Sequence, residues 1–184
     1  MPEIAFHFKK LRMGFERGET RELREIGNTF IQVLSRTGEK RYSELAVISY
    51  SLHKMLSKVH FIEEPGWQKT RKEIIALMQS AQTNLKKNDL KGFDSALAEL
   101  VSRISRADSE MGNYSTGIID KARVKNASSL YGMGLSLARA AELAGADKKD
   151  LLNYIGGTKM HDEGTAAFSI STRLEQLKRL VAKK

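Results

Sequence analysis

The chain has 184 residues, 41% of them hydrophobic and 29% charged, a balance that supports one well-buried core and excludes a disordered polyelectrolyte. Cysteine is absent, which removes disulfide frames, thiolate nucleophiles and cysteine–zinc sites. The net charge of +9 is unevenly spread, about +3 over residues 1–70, near zero over 71–120 and +6 over 121–184, so phosphate-bearing partners are expected at the C-terminal end.

In chain order, a helical segment around residues 3–15 precedes a break at Gly18-Glu19-Thr20. Leu23, Ile26, Phe30, Val33 and Leu34 then recur every three or four positions, predicting an amphipathic helix over about 20–36 that Gly38 ends. Tyr42, Leu45, Ile48, Leu52, Met55, Leu56 and Val59 mark a long helix over about 41–61. Glu63-Glu64-Pro65-Gly66 is the strongest turn signal. Trp67, Ile74, Leu77, Met78, Ala81 and Leu85 carry a further helix to about 87. Asn88 or Asp89 can cap the next, lined by Leu90, Phe93, Leu97, Leu100, Val101 and Ile104. A polar stretch, residues 109–117, is the expected boundary. Beyond it the pattern predicts a helix over 118–133, two short helices, a loop at 156–165 and a last helix over 166–182 containing Phe168. With two prolines and no alternating β-branched run, the fold class is all-α. The architecture expected is an antiparallel helical bundle over 1–110, then a three-helix unit and a C-terminal helix over 118–184. No apolar run approaches the roughly 20 residues of a membrane span. MPEIAFHFKK does not read as a secretory signal, so no membrane and a cytoplasmic location are expected.

The most specific stretch is SLARAAELAGADKKDLLNYIG, residues 136–156. Ser136 can cap a short helix whose Ala140, Ala141 and Ala144 permit close packing, and Gly145 supplies the left-handed position that ends it. Asp147 can cap a second helix with Asp150 in its first turn, and Leu151, Tyr154 and Ile155 form its apolar edge. Upstream, Val124, Ala127, Leu130 and Tyr131 can pack a preceding helix against this pair. Residues 121–156 thus resemble the helix-turn-helix superfamily, with Ala141 four residues before Gly145 and Leu151 six after it. That resemblance implies DNA binding, with Lys148, Lys149 and Asn153 facing base edges in the major groove and Lys121, Arg123, Lys125 and Arg139 meeting phosphates. The run YIGGTKMHDE, residues 154–163, resembles small helical archaeal proteins, and that likeness implies no activity.

Other chemistry finds little support. His53 and His60 are seven apart on one helix, about 10 Å, too far to share a metal directly, and His161-Asp162-Glu163 are adjacent residues that rarely converge on one ion. Gly156-Gly157-Thr158-Lys159 has the composition of a phosphate grip without its strand or spacing, and reads as a helix terminator. Tyr42, Tyr50, Trp67, Phe93 and Phe168 follow helical spacing and read as core. No cofactor, metal or catalytic set is expected. The function expected is a non-catalytic DNA-binding or regulatory protein with duplex DNA as partner. The alternative is a protein–protein interaction module or homo-oligomer.

Overall fold

A computed structural model describes residues 2–111 and 117–157, and every regular element among them is an α-helix. The body comprises α1 (Pro2–Arg17), α2 (Thr20–Thr37), α3 (Lys40–Ser57), α4 (Val59–Ile62), α5 (Trp67–Lys86) and α6 (Leu90–Met111). A trio of shorter helices follows: α7 (Ile118–Gly132), α8 (Leu137–Ala144) and α9 (Lys148–Gly157). The expected C-terminal helix over 166–182 with Phe168, the Thr158-Lys159 pair and His161-Asp162-Glu163 lie outside the described residues, as does the 112–116 part of the polar stretch. Ser109 and Glu110 of that stretch belong to α6. No helix of the described residues is long and apolar enough to cross a membrane.

Short connections and left-handed residues make the helices fold back on one another. Gly38, at φ 66°, donates its N–H to the Leu34 carbonyl 2.8 Å away and turns α2 into α3. Across that hairpin the Leu23 carbonyl accepts from the Ser49 hydroxyl at 2.5 Å, and the Thr20 carbonyl meets His53 Nδ1 at 2.9 Å. Partner numbers rise on one helix as they fall on the other, the mark of antiparallel packing. The helices approach so closely that a Cβ at Gly27 would lie 3.1 Å from the Ser49 oxygen. Between α5 and α6, Asn88 adopts a positive φ of 57° and Asp89 Oδ1 accepts from the Gly92 N–H at 2.9 Å. The two residues offered as alternative caps therefore divide the turn between them.

Helix α3 is the centre, touching α1, α2, α4, α6, α7 and α8. Leu45, Ala46, Val47, Ile48, Leu52 and Met55, with Ser49 and Ser51, are buried around its circumference. A helix apolar or small on all sides has nowhere to go but the interior. It does not run to residue 61 as the periodicity predicts, because Lys58 is extended (φ −109°, ψ 115°) and α4 starts afresh. The consequence is a change of face: Val59, expected in the core, is 64% exposed, and Phe61 is fully buried in its stead. A phenyl ring withdraws more apolar surface than an isopropyl group, so the re-phased chain favours burial. Helix α7 lies against α3, and the apolar side chains of body and trio belong to one contiguous core.

Candidate nucleic-acid interface

The corner between α8 and α9 is built by backbone chemistry that its residues dictate. Ser136 Oγ accepts from the Arg139 N–H at 3.3 Å and caps α8. At the other end the Gly145 N–H reaches the Glu142 carbonyl at 3.2 Å and the Ala146 N–H reaches the Ala141 carbonyl at 2.9 Å. This pair of bonds, with Gly145 at φ 64°, is a Schellman turn. Asp147 Oδ1 then accepts from the Lys149 and Asp150 N–H groups at 2.7 and 3.0 Å, starting α9. Its charge is thereby committed to the helix end. Ala140, Ala141 and Ala144 are buried, as are Ala122, Ala127 and Leu130 of α7, and small side chains let these axes draw together. Tyr131, expected among them, is 39% exposed.

Among the described residues helix α9 packs chiefly on α7 and α8. Leu151 is its fully buried anchor, Tyr154 and Ile155 are half-buried, and Lys148, Lys149, Asp150, Leu152 and Asn153 are exposed. Lys148, Lys149 and Asn153 thus occupy the outer side of the trailing helix.

The four other basic residues do not join them on one surface. Lys121 and Lys125 are four apart and share a face of α7, whereas Arg123 is two residues on from Lys121, about 200° around the helix. Lys121 lines a small pocket of about 130 Å³ with Tyr50 and Lys54 of α3, Lys58 of the α3–α4 link and the buried Asp108. Lys125 places its ammonium 5.7 Å from the centre of the Tyr154 ring, and Lys54 does the same over Tyr50 at 5.6 Å. Burial, and then the neighbouring Tyr154, push the Tyr50 phenol above its ordinary value, which keeps it neutral. Arg123 and Arg139 instead look into a separate cleft at the start of α3, where Arg139 pairs with Glu142 at 2.9 Å.

Lys54, Lys58 and Tyr50 are the residues that sequence reasoning missed. They lie more than sixty residues before Lys121 and meet it only because α7 packs on α3. One signal was present: Lys54 and Lys58 stand four apart, with no acid between Glu44 and Glu63 to offset them. Asp108 is a second such residue. Its Oδ2 accepts from the Ile118 N–H at 2.7 Å, tying the end of α6 to the start of α7. Among the described residues no group of three or more histidine or acidic side chains is placed to hold a metal ion. No family model, curated protein or solved structure matches the chain.

Proposed function

We propose that the chain is a non-catalytic nucleic-acid-binding protein with duplex DNA as its partner. In this reading residues 121–156 act as a helix-turn-helix unit. Helix α9 enters the major groove through Lys148, Lys149 and Asn153, and Lys54, Lys58, Lys121 and Lys125 hold phosphates beside it. The observation that carries the reading is the gathering of lysines from α3 and α7 next to Tyr154 of α9, while the outer side of that helix stays exposed. Lys54 and Lys125 are held over ring faces, a contact that positions an ammonium and leaves its charge in place for a polyanion.

Fluorescence anisotropy with a labelled duplex at two salt concentrations tests it. Affinity should fall steeply with salt, and Lys121→Ala with Lys125→Ala should lower the log–log salt slope by about 0.9 for each phosphate no longer neutralised. Changing Lys148 and Lys149 to Ala should weaken binding and leave the melting temperature in place. Equal losses on changing Lys86 and Lys87, exposed at the far α5–α6 turn, would reduce the effect to nonspecific attraction.

A second reading, an interaction module or homo-oligomer, draws on Val59 and Ile62, which leave α4 with two exposed apolar side chains. Its signature would be a mass that grows with protein concentration and returns to that of one chain in Val59→Asp.

A further inference from the structure

Five arginines among the described residues are half-buried: Arg12, Arg41, Arg71, Arg103 and Arg123. Four of them have partners. Arg12 meets Glu16 and Gln82, Arg41 grips Asp94 through two hydrogen bonds of 2.6 and 2.9 Å, Arg71 donates to backbone carbonyls, and Arg103 binds Glu73 and Thr70. Arg123 has neither a hydrogen bond nor an ion pair within 4.0 Å among these residues. A guanidinium carries five donors and cannot shed its proton, and Arg123 is not among the side chains with a buried nitrogen left unpaired, so its donors stay open to solvent and to a ligand. Such a group is poised for an anion that arrives from outside.

Its surroundings say what kind. Arg123 lines a cleft of about 600 Å³ between the start of α3 and the middle of α6, a size typical of small-molecule sites. Leu97, Ala98 and Val101 give it an apolar wall. Glu44 faces the same space, half-buried and also without an ion pair within 4.0 Å among the described residues. The remaining charges lining the cleft are Lys40, which is exposed to solvent, and the Arg41 cluster with Glu39 and Asp94. Three acids thus balance three bases around it. A dianion would find no net charge to meet, and a purely cationic ligand would leave Arg123 as it is. A molecule bearing both charges close together can bridge Arg123 and Glu44, which stand too far apart to pair directly.

We propose that this cleft binds a small zwitterion, an α-amino acid with an apolar side chain, its carboxylate on Arg123, its ammonium on Glu44 and its side chain on Leu97, Ala98 and Val101. The planar fork of arginine suits a carboxylate, and its charge-assisted bonds supply the orientation. This site lies apart from the lysine surface and stands whether or not nucleic acid binds there.

Amide chemical shifts of the full chain, titrated with L-phenylalanine, 3-phenylpropionate and phenethylamine, test the assignment. L-Phenylalanine should move the amides of Glu44, Leu97, Val101 and Arg123. The analogue lacking the ammonium and the one lacking the carboxylate should each bind at least about tenfold more weakly, because each forgoes one charge-assisted hydrogen bond. Arg123→Met should abolish the shifts, and Glu44→Gln should bring 3-phenylpropionate level with L-phenylalanine. If Arg123→Met proves unfolded by its thermal melt, Glu44→Gln decides alone. No shift at these four amides at millimolar ligand, or equal binding of all three compounds, would overturn the proposal.

Discussion

The body of α1–α6 is packed with rings, and the trio of α7–α9 is packed with methyl groups. Phe8, Phe15, Phe30, Phe61 and Phe93 are fully buried in the first, with Phe8 set edge-on to Phe93 at 5.3 Å and Phe15 edge-on to Trp67 at 6.4 Å. In the second the buried set is Ala122, Ala127, Ala140, Ala141 and Ala144, with Ile118, Ile119, Leu130 and Leu151 the larger members and no ring among them. A ring withdraws far more apolar surface than an alanine methyl, so each body side chain contributes more to folding than its counterpart in the trio. What alanine offers is close approach between axes. The trio therefore trades depth of core for a sharp corner, and relies on caps and on α3 beneath it to keep that corner in place.

The largest expected effect comes from opening the ring-packed side. Phe30 sits among His7 and Tyr42 with no exposure, and Phe30→Ala should cost about 3–5 kcal/mol, lowering the urea midpoint of the whole chain. Leu151→Ala should come next, at about 2–5 kcal/mol for a fully buried leucine, but its loss should be local. Hydrogen exchange resolves the two. In Leu151→Ala the amides of α9 should lose protection while those of α2 and α3 keep theirs, whereas Phe30→Ala should speed exchange in both regions. Equal loss in α2 and α9 on changing Leu151 would mean that body and trio open as one unit, and the contrast between them would be one of composition alone.

Where the difference between the regions was legible in sequence, it was so through local chemistry. Gly38 and Gly145 end helices because only a left-handed residue allows the closing bonds, and Ser136 and Asp147 start them because their oxygens reach orphan N–H groups. Such effects act within a few residues and can be read from spacing. The break at Lys58 could not be read in this way, since nothing local forbids a helix there. It follows from Phe61 finding the core, a tertiary preference. The meeting of Lys54 and Lys58 with Lys121 was hidden for the same reason. By contrast, the parting of Arg123 from Lys121 was available from helix geometry, because residues two apart cannot share a face. Grouping the C-terminal basic residues by charge alone missed it.

The smallest expected effect places a pH dependence on the body rather than on the trio. His53 Nδ1 lies 2.9 Å from the Thr20 carbonyl, so Nδ1 holds the hydrogen of that bond and Nε2 is the nitrogen that titrates. Burial lowers the His53 pKa, with Lys54 and Arg24 adding to the effect and the Thr20 carbonyl opposing it. The folded chain therefore binds fewer protons at this site than the unfolded chain. Stability from this site is intact above the ordinary histidine value of about 6.5 and drains as pH falls through it, until the lower folded-state value is passed. Glu22 works in the other direction. The neighbouring Glu19 carboxyl, together with burial, raises its pKa and favours the protonated form in the fold. The variant His53→Asn separates the two, because the Asn amide can still donate to the Thr20 carbonyl and has no proton to gain. Its urea midpoint should fall less than that of the parent chain when pH is lowered from about 7.5 to about 5.5. Because His53 bridges α3 to the start of α2, the amides that loosen in the parent chain should be those of α2 and α3. A loss confined to α9 would place the sensitive element in the trio instead.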